Sequence, residues 1–132
     1  MQVRPASADD RLGIRTVLDA GLLEVDTTTL QAAISDGRVL VALEPRTGDA
    51  DRPILGALVV ADETIVAVAV RPGRRGQGIG TTLVEAGLDQ YGDLEASFDE
   101  RVRPFWEALG ITIETRDGDR HRGTLCADST SL

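Results

Sequence analysis

The stretch Glu63 to Tyr91, ETIVAVAVRPGRRGQGIGTTLVEAGLDQY, constrains the fold more than any other part of the chain. Its apolar run Ile65 to Val70 is rich in β-branched residues and lacks polar alternation, which predicts a fully buried strand. A glycine-rich turn from Arg71 to Gly80 follows. Ile79, Leu83, Val84 and Leu88 then recur at helical spacing, so the turn feeds an amphipathic helix. Strand, glycine turn and helix start together form an anion-binding arrangement. Gly76, Gly78 and Gly80 are free to take positive φ and let a ligand approach the main chain. Their N–H groups, the positive end of the helix dipole, and Arg74 and Arg75 would converge on a phosphate.

Spacing narrows the phosphate ligand. A G-x-G-x-x-G fingerprint fails, because the third glycine would fall on Thr81 or Leu83. A P-loop fails because the chain has no lysine. What fits is R-x-x-G-x-G at Arg75, Gly78 and Gly80, preceded by V-x-V-x-P at Val68, Val70 and Pro72. This resembles the acetyl-CoA motif of the GNAT N-acetyltransferase superfamily. On the residues alone, a phosphate binder that does not use CoA stays open.

Composition bounds the rest. A chain of 132 residues with 42% hydrophobic residues is expected to form one domain, residues 1–132, with a core of its own. No apolar run approaches a membrane span, and the start, MQVRPASADD, lacks the apolar core of a signal peptide, so a cytoplasmic protein is expected. One cysteine, Cys126, and one histidine, His121, exclude an internal disulfide and a Cys/His metal cluster, and no metal is expected. The net charge of −8 argues against nucleic acid as a partner; it would suit the steering of a cationic substrate, but in an Asp-rich, lysine-free chain low in aromatics it reads first as a general compositional bias, as in salt-adapted organisms.

Read in order, Gln2 to Ala6 is a short edge strand. Ser7 and Asp10 cap a helix that turns Leu12, Ile14, Val17 and Leu18 inward and stops near Gly21. A second helix carries Leu30, Ala33 and Ile34 and ends at Gly37. Arg38 to Leu43 alternates into a strand, turn residues occupy 47–52, and Ile54 to Ala61 is the next strand. Asp62 and Glu63 turn into the central strand. After the helix ending near Tyr91, Leu94 to Phe98 is a strand running parallel to Ile65 to Val70. Val102 to Leu109 is a helix with Pro104 in its first turn and Gly110 as its cap. Ile111 to Thr115 and Thr124 to Ala127 pair through Asp117-Gly118. The expected fold is α+β: a mixed, mostly antiparallel sheet of six or seven strands, about four helices, and one parallel pair. This is the GNAT order of elements, and V-R-P-A-S-x-x-D at the start resembles that family's opening.

The resemblance implies further roles. The parallel strands would splay, and backbone groups of Val68 and Val70 would hold the pantetheine arm of acetyl-CoA. Arg75, Gly76, Gln77, Gly78, Ile79, Gly80 and Thr81 would surround its pyrophosphate. Glu24 and Asp26 would border an amine acceptor. The family's second signature falls on Asp99, Val102, Trp106, Gly110 and Ile111, where F-W-E-A-L-G-I replaces the usual F-Y-E-K-L-G-F. Asp99 stands for an asparagine, and Trp106 for the tyrosine that protonates the leaving thiolate; an indole N–H donates a hydrogen bond but no proton. Candidates for the general base are Glu63 and Glu95, with Tyr91 and His121 behind them. The implied function is acetyl-CoA-dependent transfer to a primary amine, with a possible homodimer. The alternative is a GNAT-fold module that binds acyl-CoA without catalysis.

Overall fold

The computed structural model describes residues 2–20, 25–44, 54–74 and 76–126. Among these residues run seven strands and four α-helices, in the order β1 Gln2–Pro5, α1 Arg11–Ala20, α2 Thr27–Ser35, β2 Val39–Leu43, β3 Ile54–Ala61, β4 Thr64–Val70, α3 Ile79–Tyr91, β5 Leu94–Asp99, α4 Arg103–Ala108, β6 Thr112–Asp117 and β7 Arg120–Leu125. The strands form one sheet in the order β1-β2-β3-β4-β5-β7-β6. Every pairing is antiparallel except β4 with β5. The turn residues 47–52, together with Gly21, Glu24 and Ala127, lie outside the described residues.

The entry into α1 follows its capping residues. The Ser7 amide donates to Asp10 Oδ2 at 2.8 Å, and Arg4 Nη1 reaches the same oxygen at 2.8 Å, tying β1 to the helix start. Ile14, Val17 and Leu18 are buried as expected, but Leu12 is 78% exposed. Two residues before Ile14 lies about 200° around a helix, on its solvent side.

Two cores sandwich the sheet. On one face α1 and α2 cover Val39, Val41, Leu43, Ala57, Val59, Ala67 and Ala69. On the other, Leu83 and Val84 of α3 and Trp106 of α4 pack on Leu40, Ala42, Leu58, Leu94, Ala96 and Phe98. All five residues of β2 are consequently buried, where alternation had been expected. A strand between two helical layers has no solvent face to carry polar residues.

Missing side chains fix where α3 sits. A Cβ on Gly56 would lie 3.1 Å from both Ile79 Cγ2 and Leu83 Cδ1, and one on Gly87 would lie 2.6 Å from Leu58 Cδ2. These two glycines let the helix settle close to β3. Its N-terminus is thereby held beside the end of β4. The final hairpin spans longer strands than expected, and its turn is Gly118-Asp119, with Gly118 at φ 63°.

Candidate functional site

Strands β4 and β5 part company almost at once. They pair only at Thr64–Glu95 and Ile65–Ala96, after which no register joins them. The other edge of β4 stays paired with β3 to its end, Gly56 opposite Val70. A bulge marks the parting: Val60 faces Ile65 and Val59 faces Ala67, so Val66 has no partner on β3. An extra residue bends the strand that carries it, which turns β4 away from β5. The fully buried strand expected here is accordingly only half enclosed: Val66 is 39% exposed, and Val68 and Val70 are half-buried. From Val66 to Val70 the strand presents an edge toward a gap.

The gap leads to the glycine turn. Gly76 and Gly78 adopt φ 81° and 80°, and Gly78 is the N-cap of α3. Neither would bring a Cβ within 4 Å of another group, so both leave open space at the helix start. The first amides of α3, from Ile79, Gly80 and Thr81, have no intrahelical acceptor. They are donors for an anion, reinforced by the helix dipole. Arg75 lies outside the described residues.

Gly80 serves a different purpose from the one expected. It is helical, without positive φ, and its missing Cβ makes room for the Phe105 ring, whose Cε1 would be 3.3 Å away. Val70 Cγ2 would be 3.6 Å from the same point. Phe105 of α4 therefore packs on the start of α3, near the end of β4. Arg71 is occupied in holding the loop: its guanidinium donates twice to the Ile54 carbonyl, at 3.2 and 3.0 Å.

The remaining candidates lie elsewhere. Glu63 is in the turn before β4, and its carbonyl accepts from the Glu95 amide at 2.8 Å, so both glutamates stand at the closed end of the strand pair. Glu95 Oε1 receives Arg122 Nη2 at 2.7 Å and Nε at 3.1 Å. Asp99 caps the helical turn Glu100–Val102, accepting from the Arg101 amide at 3.0 Å. That bond is the main reason its carboxyl sits below the usual range. Trp106 is 6% exposed, stacked on Phe98 with ring centres 5.6 Å apart and meeting Phe105 edge-on at 5.1 Å. It belongs to the core behind Phe105 and holds no titratable group. Tyr91 Oη donates to the Gly37 carbonyl at 2.7 Å, tying α3 to the end of α2, and burial raises its pKa. Asp26 is the N-cap residue of α2. His121 is buried against Phe98 of β5.

The structure thus unites Val68, Val70, Gly76, Gln77, Gly78, Ile79, Gly80 and Thr81 along one open edge, apart from Glu63, Glu95, Asp99 and Trp106. Three features of the site have no sequence pattern. The Val66 bulge and the Phe105–Gly80 contact depend on register and on helix approach. The neighbourhood of His121 and Glu100 joins residues far apart in the chain. Among the described residues no group of His, Cys, Asp or Glu is arranged to hold a metal ion.

A mixed sheet opened at its single parallel pair, with a glycine turn and helix start at the mouth, is the GNAT acetyltransferase fold. Residues 48–111 match the model of the acetyltransferase (GNAT) family. Among solved structures, the chain resembles Rv2747 from Mycobacterium tuberculosis, in complex with CoA and NLQ, at 20% identity and TM-score 0.75, covering 96% of this chain and 99% of that one. It resembles yncA from Salmonella typhimurium, with its cofactor acetyl-CoA, at 18% identity and TM-score 0.73, covering 100% and 96%. It also resembles a chain of the NatC complex bound to Gag peptide and CoA, at 17% identity and TM-score 0.77, covering 95% and 97%. No curated protein sequence matches the chain.

Proposed function

We propose that this protein is an acetyl-CoA-dependent N-acetyltransferase that acts on a primary amine. The parting of β4 from β5 after Ile65–Ala96, directly beside the left-handed glycines at the start of α3, carries the reading. CoA or acetyl-CoA in structures of the same fold supports it. The residues present fit the ligand: the edge of β4 that β5 leaves after Ile65 suits the amides of a pantetheine arm, and the helix-start amides suit a pyrophosphate.

Acetyl-CoA supplies the acetyl group as an activated thioester. The chain's own contribution begins with binding: main-chain groups of Val68 and Val70 hold the arm, and 76–81 hold the pyrophosphate. In this reading a main-chain N–H where the strands part polarises the thioester carbonyl. The acceptor's nitrogen attacks the carbonyl carbon, the C–S bond breaks, and the nitrogen's proton passes to a base. Glu95 and Glu63, the carboxylates at the closed end of the gap, are the candidates for that base. The thiolate leaves without a dedicated acid, as a thiol of pKa about 8.5 allows. The net charge of −8 favours approach of a cationic acceptor.

The burial of Trp106 and the engagement of Glu95 by Arg122 favour a second reading, an acyl-CoA-binding module without catalysis. Thiol release from acetyl-CoA across a panel of amines separates the two. Acceptor-dependent release that disappears in Gly78→Asp supports the enzyme; saturable binding without release for any amine supports the module.

A further inference from the structure

Beside Phe98 of β5 lies a buried polar ring. His121 of β7 is 3% exposed, its ring centre is 5.6 Å from that of Phe98, and its Nδ1 has no hydrogen-bond partner among the described residues. Its Nε2 meets Glu100 Oε1 at 2.5 Å. Glu100 opens the helical turn that leads into α4. Its amide donates to the Asp119 carbonyl at 2.7 Å, and Arg103 Nη1 reaches its carboxylate at 3.4 Å. The join between β5 and α4 is therefore pinned to β7 and to the turn before it.

An unpartnered buried nitrogen costs stability. An apolar ring at position 121 would fill the space without that cost. What the histidine adds is the bond to Glu100. From it a row of rings runs to the start of α3: His121 on Phe98, Phe98 on Trp106, Trp106 on Phe105, and Phe105 on Gly80. We propose that His121 and Glu100 are a positioning pair, which sets the seat of α4 and through Trp106 and Phe105 the width of the cleft between α4 and the start of α3. The cleft's role as the acetyl-CoA site rests on the function proposed above.

Trp106 is the sole tryptophan, so its fluorescence reports the seat of α4 without any ligand. His121→Phe keeps the ring volume and removes the orphan nitrogen, and its Tm should equal or exceed that of the wild type. Acrylamide quenching of Trp106 should nevertheless increase, and the calorimetric Kd for acetyl-CoA should rise about tenfold, the size of one net hydrogen bond. Glu100→Ala should reproduce both changes, while Glu100→Gln, which keeps a carbonyl acceptor, should restore wild-type values. Unchanged quenching in both His121→Phe and Glu100→Ala overturns the positioning role, whatever acetyl-CoA does. Changed quenching with an unchanged Kd overturns the link to the cleft. Wild-type protein that does not bind acetyl-CoA overturns the functional reading and that link together, and the quenching comparison still decides the positioning.

Discussion

Replacing Gly78 by alanine separates backbone strain from ligand contact. Gly78 holds φ 80° and ψ 8°, and a Cβ there meets nothing within 4 Å. In the free protein the only penalty is a left-handed backbone for a residue with a side chain, about 1–2 kcal/mol. Gly118, at φ 63° in the β6–β7 hairpin, has the same open surroundings and provides a matched control away from the cleft. Each substitution should lower Tm by a similar amount, roughly 3–6 °C for each kcal/mol in a domain of this size. Ligand binding should distinguish them. The added methyl at position 78 keeps an anion from the amides of the helix start, and losing one charge-assisted hydrogen bond of about 1.5–3 kcal/mol weakens binding roughly 10- to 100-fold. Calorimetric titration of acetyl-CoA into both variants reads this directly. Wild-type affinity in Gly78→Ala, or an equal loss in Gly118→Ala, would refute the reasoning.

Other perturbations test the scaffold. Gly123→Ala places a Cβ 2.4 Å from the Thr112 carbonyl, where main chain must give way, and should cost about 3 kcal/mol as a lowered urea midpoint. Leu58→Ala removes a side chain with 0% exposure from beneath α3 and should cost about 2–5 kcal/mol in the same assay. Asp10→Ala loses the cap of α1 and the Arg4 pair, about 1 kcal/mol by urea unfolding at neutral pH. The Arg4 guanidinium holds the Asp10 carboxyl below the usual range against the opposing effect of burial, with Ser7 assisting. A depressed folded pKa stabilises at neutral pH, and that contribution fades as pH falls through the folded value, below about pH 4. The gap between wild type and Asp10→Ala should therefore close in acid.

What the sequence made legible follows from which interactions are local. The strand, glycine turn and helix from Thr64 to Tyr91 were readable because β-branched residues, turn glycines and helical spacing act within a few residues of one another. The Ser7–Asp10 cap was readable for the same reason. The two faces of β2 were not, since five consecutive apolar residues do not say how many layers cover them. The cleft was legible as a backbone site and only in part as a set of side chains. Positive φ at Gly76 and Gly78 follows from local conformation, whereas the need for glycine at position 80 comes from Phe105, 25 residues further along, in another helix. The burial of His121 was not legible either: it comes from Phe98 on the neighbouring strand and from Glu100, 21 positions away.

Amide hydrogen exchange with and without saturating acetyl-CoA tests the central claim most directly. The account predicts slowed exchange at 66–70, on the open edge of β4, and at 76–81, around the start of α3. Protection confined to other segments, or none at all, would contradict it.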